Sequence, residues 1–239
     1  MGASRPKSTH ERRGVQDMKF VIADDHPLFR DALKRAVSSL FPEAEMLEAD
    51  STASLQNLLE QTNEPDLLLL DLHMPGASGF TGLVHVRAHF PTLPVIVVSG
   101  NEEPGVMRRA LAHGASGYIP KSSSLEQMST AIGQVLEGDV WLPASAAGAL
   151  PPLANEEADI ARRIRELTPQ QFRVLMMLAD GLLNKQIAYE LNVSEATIKA
   201  HMTAILKKLG ASNRTQAVVA AARLQLDPAM RIMDVVEED

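Results

Sequence analysis

The sequence has no cysteine, which excludes disulfides and thiolate-bound metals and fits a reducing compartment. Aromatic residues are scarce, with six Phe, two Tyr and one Trp in 239 residues. A core must therefore be built from aliphatic residues, which suits helices packed on helices or on a parallel sheet. No apolar run approaches the roughly 20 residues of a membrane span. Residues 1–17 are polar and basic and lack the apolar stretch of a secretory signal, so they read as a loose tail. No internal repeat is present. The length exceeds that of a typical single domain and is enough to bury two cores.

The formal charge of −7 conceals a division. Residues 18–142 carry eight basic against sixteen acidic residues, a net of −8, whereas residues 168–226 carry seven against three, a net of +4. An acidic half followed by a basic half points to nucleic-acid contact by the second.

From Lys19 to Trp141, short β-branched or leucine runs alternate with longer helical patterns, the rhythm of a parallel sheet. The expected strands are 20–23 (FVIA), 45–49 (EMLEA), 66–70 (DLLLL), 94–99 (PVIVVS) and 117–119 (GYI), with five helices between them. Runs as apolar as DLLLL and VIVV suit strands covered on both faces, so a doubly wound α/β fold is expected for 18–141. The proline-rich stretch 143–153 (PASAAGALPPL) and a connecting helix in ANEEADIARRIREL make 142–167 a linker. Residues 168–226 read as wholly helical, with helices at 169–180, 184–191, 195–209 and 213–224. Gly181 and Gly210 are stop signals, and Ser194 and Asn213 are N-caps. Residues 227–239 form an acidic tail.

In an open parallel sheet the ligand site lies beyond the carboxyl ends of the strands. Asp24 and Asp25 follow the first strand, Asp71 the third, Ser99 closes the fourth and Lys121 follows the fifth. Three converging carboxylates repel one another, and an all-oxygen set invites Mg2+. Such an ion would shield a phosphoryl group while one Asp attacks phosphorus and the lysine and hydroxyl hold its oxygens.

The motifs VIADDH, LLLLDLHMPGASG, VIVVSG and GYIPK resemble the receiver domains of two-component response regulators. The resemblance implies that Asp71 accepts a phosphoryl group from a histidine kinase. It also implies that Asp25 binds Mg2+ directly, Asp24 through water and His73 through its backbone carbonyl, alongside Asp71. Ser99 and Lys121 would bind the phosphoryl oxygens, and Tyr118 matches the family's switch aromatic. Here Pro120 precedes the lysine and Ser122 follows it, where many receivers have proline after it. The pair His85 and His89, four apart on a helix, has zinc-ligand spacing but no third ligand, so it reads as a solvated face.

Between Thr197 and Gly210, Ile198, Met202, Ile205, Leu206 and Leu209 form one apolar stripe. The opposite face carries Lys199, Ala200, Thr203 and Lys207, small residues between cations that would let a helix enter a major groove. The segments LTPQQFRVLMMLADGL and NKQIAYELNVSEATIKAHMTAILKKLGASNRTQAV resemble the LuxR-type helix-turn-helix of the NarL/FixJ class. That resemblance places Lys199, Ala200 and Thr203 at base edges and makes Lys185, Thr197, His201 and Lys207 candidate phosphate contacts. Gln171 stands where the family usually has glutamate. The class pairs through its last helix, here Asn213 to Leu224, so a homodimer is expected when phosphorylated or DNA-bound, although the same small apolar residues could equally close the domain's own core.

The expected protein is thus a cytoplasmic, phosphorylation-activated transcriptional regulator. Its partners would be a histidine kinase and double-stranded promoter DNA, with RNA polymerase as a further candidate and no membrane. It would be no enzyme beyond its own phosphorylation and dephosphorylation. Two rivals stand beside this reading: a Mg2+-dependent phosphotransferase or phosphatase, and a receiver used as an unphosphorylated interaction module. Against the first, a haloacid-dehalogenase-like enzyme places a second Asp two residues after its nucleophile, where this chain has His73.

Overall fold

The computed structural model describes residues 18–76, 79–147 and 155–222. The two expected tails and most of the proline-rich linker lie outside the described residues. Five strands, β1 (Lys19–Ala23), β2 (Glu45–Ala49), β3 (Leu67–Asp71), β4 (Val95–Ser99) and β5 (Gly117–Pro120), form one parallel sheet in the order β2-β1-β3-β4-β5. Alternation along each strand sends side chains to two covered faces. Phe20, Ile22, Leu67 and Leu69 pack with α1 (Pro27–Leu40) and α5 (Leu125–Leu136). Val21, Leu68, Leu70 and Val97 face the side of α2 (Thr52–Gln61), α3 (Thr81–His89) and α4 (Pro104–Ala112). This is the doubly wound α/β architecture expected from the apolar strands.

Strand β3 begins one residue later than expected. Asp66 stands outside it and accepts a hydrogen bond from the Lys19 amide at 2.8 Å, so its carboxylate ties the foot of the sheet. Asp71 is instead the last residue of β3.

The second half contains α6 (Asn155–Arg165), α7 (Pro169–Ala179), α8 (Asn184–Glu190), α9 (Glu195–Leu209) and α10 (Arg214–Ala222). Thr168 and Gln171 cap α7 reciprocally: the Gln171 amide donates to Thr168 Oγ1 and the Thr168 amide to Gln171 Oε1. Gln171 Oε1 also accepts from Lys208 Nζ at 2.7 Å, tying α7 to the end of α9. A neutral amide thus closes the capping box. Gly210 ends α9 at φ 65°, a left-handed conformation that a side chain would strain.

The two halves are not separate in space. Helix α3 packs against α6, and the apolar core continues from Leu83, Val84 and Met107 into Ile160, Ile164 and Phe172. His85 is 2% exposed and stacks on Phe172 of α7 with ring centroids 3.8 Å apart and planes 7° from parallel. The expectation of a solvated His85–His89 face is therefore wrong for His85. Six consecutive residues of α3, Thr81 to Val86, are buried because sheet and second domain cover the helix from both sides. Beside this seam, Glu157 of α6 accepts hydrogen bonds from Arg109 Nη2 at 2.7 Å, and His113 Nε2 lies 2.7 Å away.

Candidate functional site

Strand order brings the polar residues together. β3 lies between β1 and β4, and β5 flanks β4, so residues at the carboxyl ends of β1, β3, β4 and β5 share one edge. Asp24, Asp71 and Ser99 are almost fully buried there, at 0%, 2% and 0% exposure. Lys121 reaches between the carboxylates, its Nζ 2.7 Å from Asp24 Oδ2 and 2.8 Å from Asp71 Oδ2. Burial opposes the lysine's charge, but hydrogen bonds to Asp24 and Asp71 and their negative field hold its pKa above the usual value.

The backbone fixes the remaining oxygens. The His26 amide donates to Asp24 Oδ1 at 2.8 Å, and the His73 amide to Asp71 Oδ1 at 3.1 Å. The Asn101 amide donates to Ser99 Oγ at 3.2 Å, holding that hydroxyl at the start of the loop into α4. Above them opens a cavity of about 510 Å³ whose wall includes Asp71, His73, Gly100, Lys121 and Phe29. Asp71 thus borders the cavity with an ammonium group beside it.

Tyr118 points inward with no solvent exposure and donates from its hydroxyl to the Asn101 carbonyl at 2.7 Å. Burial pushes its phenol up to about 12, against the effect of a hydrogen bond with Ser99 and with that of the Asp71 and Glu102 charges. The hydroxyl therefore ties β5 to the loop that follows Ser99. All the side chains expected at this site lie at or beside one edge.

Ligand atoms of Asp24, Asp25, His26 and Asp71 lie within 4.8 Å of one another. Asp25 Oδ1 is buried and accepts no hydrogen bond, while Asp24 Oδ2 has the Lys121 ammonium 2.7 Å away. A hard, oxygen-seeking divalent cation fits this donor set.

At the other end of the chain, Ser194 caps α9 by accepting from the Thr197 amide at 3.1 Å, with the two hydroxyls 2.9 Å apart. Thr197 is half-buried in this cap. The turn from α8 passes through Asn192 at φ 51°. Lys199, Ala200, Thr203 and Lys207 are exposed along α9, Lys185 is exposed on α8, and His201 is half-buried. Ile198, Ile205 and Leu209 are buried on the other side. The receiver-side contacts reach α6 and α7, leaving this face of α9 open to solvent.

The sequence reading missed the seam between the halves and the place of His26 in the acidic cluster. A signal for the seam was present but weak: from Thr81 to Val86, α3 carries no ionisable side chain except His85.

A model described as response regulator receiver domain matches residues 20–133, and one described as bacterial regulatory proteins, luxR family, matches 165–221. The glycerol metabolism activator of Pseudomonas putida is 39% identical over 89% of this chain and 99% of its own. The nitrate/nitrite response regulator protein NarL of Escherichia coli K12 is 33% identical over 83% and 92%. Among solved structures, two RcsB dimers bound to two parallel DNAs align with a TM-score of 0.50 at 25% identity, covering 87% of this chain and 97% of that one. With receiver and LuxR-type helix-turn-helix in this order, the chain belongs to the NarL/FixJ class of two-component response regulators.

Proposed function

We propose that the chain is a phosphorylation-activated, sequence-specific DNA-binding transcriptional regulator, phosphorylated on Asp71 by a histidine kinase. The carrying observation is Lys121 bridging Asp24 and Asp71 beneath an open cavity. A carboxylate oxygen of Asp71 attacks phosphorus, the phosphorus–nitrogen bond to the kinase histidine breaks, and the imidazole leaves with the bonding electrons. Asp24, Asp25, Asp71 and the His73 carbonyl would hold Mg2+, which supplies charge neutralisation for the incoming phosphoryl group. Lys121 exchanges its carboxylate partners for phosphoryl oxygens, and Ser99 turns its hydroxyl toward them. Movement of Ser99 displaces the Asn101 loop and the Tyr118 hydroxyl bound to it, biasing a two-state receiver.

On the DNA side, Lys199, Ala200 and Thr203 read base edges while Lys185, Thr197, His201 and Lys207 meet phosphates. Few phosphate contacts per copy favour two copies on adjacent half-sites, paired through α10. We assign the protein to the cytoplasm, with RNA polymerase as a further partner. Its only covalent chemistry is its own phosphorylation and dephosphorylation. Residues 18–141 form the receiver, 142–167 the linker and 168–226 the DNA-binding domain.

The test is Mg2+-dependent binding of beryllofluoride, a phosphoryl mimic, to wild type and Asp71→Asn, with oligomeric state recorded alongside. Binding with dimerisation, lost in the variant, supports the switch. A folded wild type that binds none makes the receiver an interaction module instead.

A further inference from the structure

His26 follows Asp25 and stands at the N-cap of α1, where its side chain makes no capping hydrogen bond. Its Nδ1 lies instead 2.7 Å from Asp25 Oδ1 and 3.3 Å from Asp24 Oδ1. The first contact is close but lacks hydrogen-bond geometry, as expected of two donor atoms aimed at a common third point. Adjacent ligands on a cation with bonds of about 2.1 Å stand about 3 Å apart, and opposite ones about 4.2 Å. The four ligand atoms lie within 4.8 Å of one another, and the two His26 contacts, at 2.7 and 3.3 Å, are those of adjacent ligands. Asp25 adds an independent observation: its Oδ1 is a buried atom, yet no hydrogen bond reaches it.

We propose that His26 is a nitrogen ligand of the cation in this pocket, taking a position otherwise left to water, and that the mixed site prefers Mn2+ to Mg2+. The inference rests on the reading of the acidic pocket as a divalent-cation site. Mg2+ demands oxygen ligands and retains its waters, whereas imidazole suits first-row transition ions. An imidazole among carboxylates therefore raises Mn2+ affinity and leaves Mg2+ affinity almost unchanged. It also gives the phosphoacceptor pocket a sensitivity to which metal is abundant.

The test titrates the full chain calorimetrically with MnCl2 and MgCl2, as wild type, His26→Gln and His73→Gln. Pulsed electron paramagnetic resonance of bound Mn2+ reports nitrogen coordination directly. Wild type is expected to hold Mn2+ about tenfold more tightly than Mg2+ and to show nitrogen modulation. His26→Gln loses the modulation and about tenfold in Mn2+ affinity, with Mg2+ affinity changed by less than about twofold. His73→Gln keeps the modulation, since only its backbone is engaged. Mn2+ binding without nitrogen modulation, or modulation that survives in His26→Gln, overturns the ligand while the carboxylate pocket stands. A folded wild type that binds neither ion overturns both.

Discussion

At Lys121 one ammonium group stands within 2.8 Å of two carboxylates, so lysine and divalent cation compete for the same negative charge. Replacing Lys121 by Met removes the internal competitor. Calorimetry is expected to show Mg2+ bound about tenfold more tightly by Lys121→Met, while the variant without metal loses about 3 kcal/mol of stability because the buried carboxylates lose their partner. Added Mg2+ restores most of that loss. His85 sets a different residue-scale behaviour. Burial first, then the nearby His89, lowers its pKa from 6.5 to about 3. The folded chain therefore binds fewer protons there than the unfolded one, and the contribution is fully present above pH 6.5. It is lost as pH falls from 6.5 toward about 3, amounting to about 2 kcal/mol by pH 5. Denaturant midpoints measured across this range should fall less steeply for His85→Phe, which keeps the stack on Phe172 without the titrating nitrogen.

Helices and strands differ in how much of their role the sequence discloses. The strands were legible because continuous apolar runs such as Leu67 to Leu70 have one physical use, burial on both faces of a sheet. Helix α9 was equally legible, since Ile198, Ile205 and Leu209 mark one face while Lys199 and Lys207 mark the other. Its partition makes a prediction. Lys207→Ala should weaken DNA binding uniformly across sequences and reduce the slope of log affinity against log salt by about one. Lys199→Ala should instead relax sequence preference by about 1–3 kcal/mol at one base step, read by competition with substituted sites. Helix α3 was misread because His85 and His89 were judged by spacing alone. Periodicity reports whether a helix face is apolar, not which distant element covers it. His26 was passed over for a related reason: the metal expectation came from carboxylates after strands, and the histidine enters the cluster through the turn into α1.

For the molecule as a whole, the acidic and basic halves were visible in the charge count, but their docking was not. The seam joins α3 and α4 to α6 and α7, and Glu157 is only 11% exposed between Arg109 and His113. Burial tends to raise its carboxyl pKa, yet hydrogen bonds from His113 and Arg109 hold it below the ordinary range. Glu157→Ala removes the carboxylate that meets Arg109 and His113 at the seam and is expected to cost the docked state about 3 kcal/mol. Small-angle scattering should then report a larger radius of gyration. DNA affinity without phosphorylation should change by less than about threefold, because the exposed face of α9 does not depend on undocking. The stack of His85 on Phe172 also bears on modularity. Regulators of this kind invite exchange of their front halves at the linker, yet here the core runs across that cut. A grafted receiver would inherit Phe172, Ile160 and Ile164 as an uncovered apolar surface unless its own third helix offered a matching flat ring. Compatibility between donor and recipient is thus written in α3, α6 and α7, not in the proline-rich stretch 143–153.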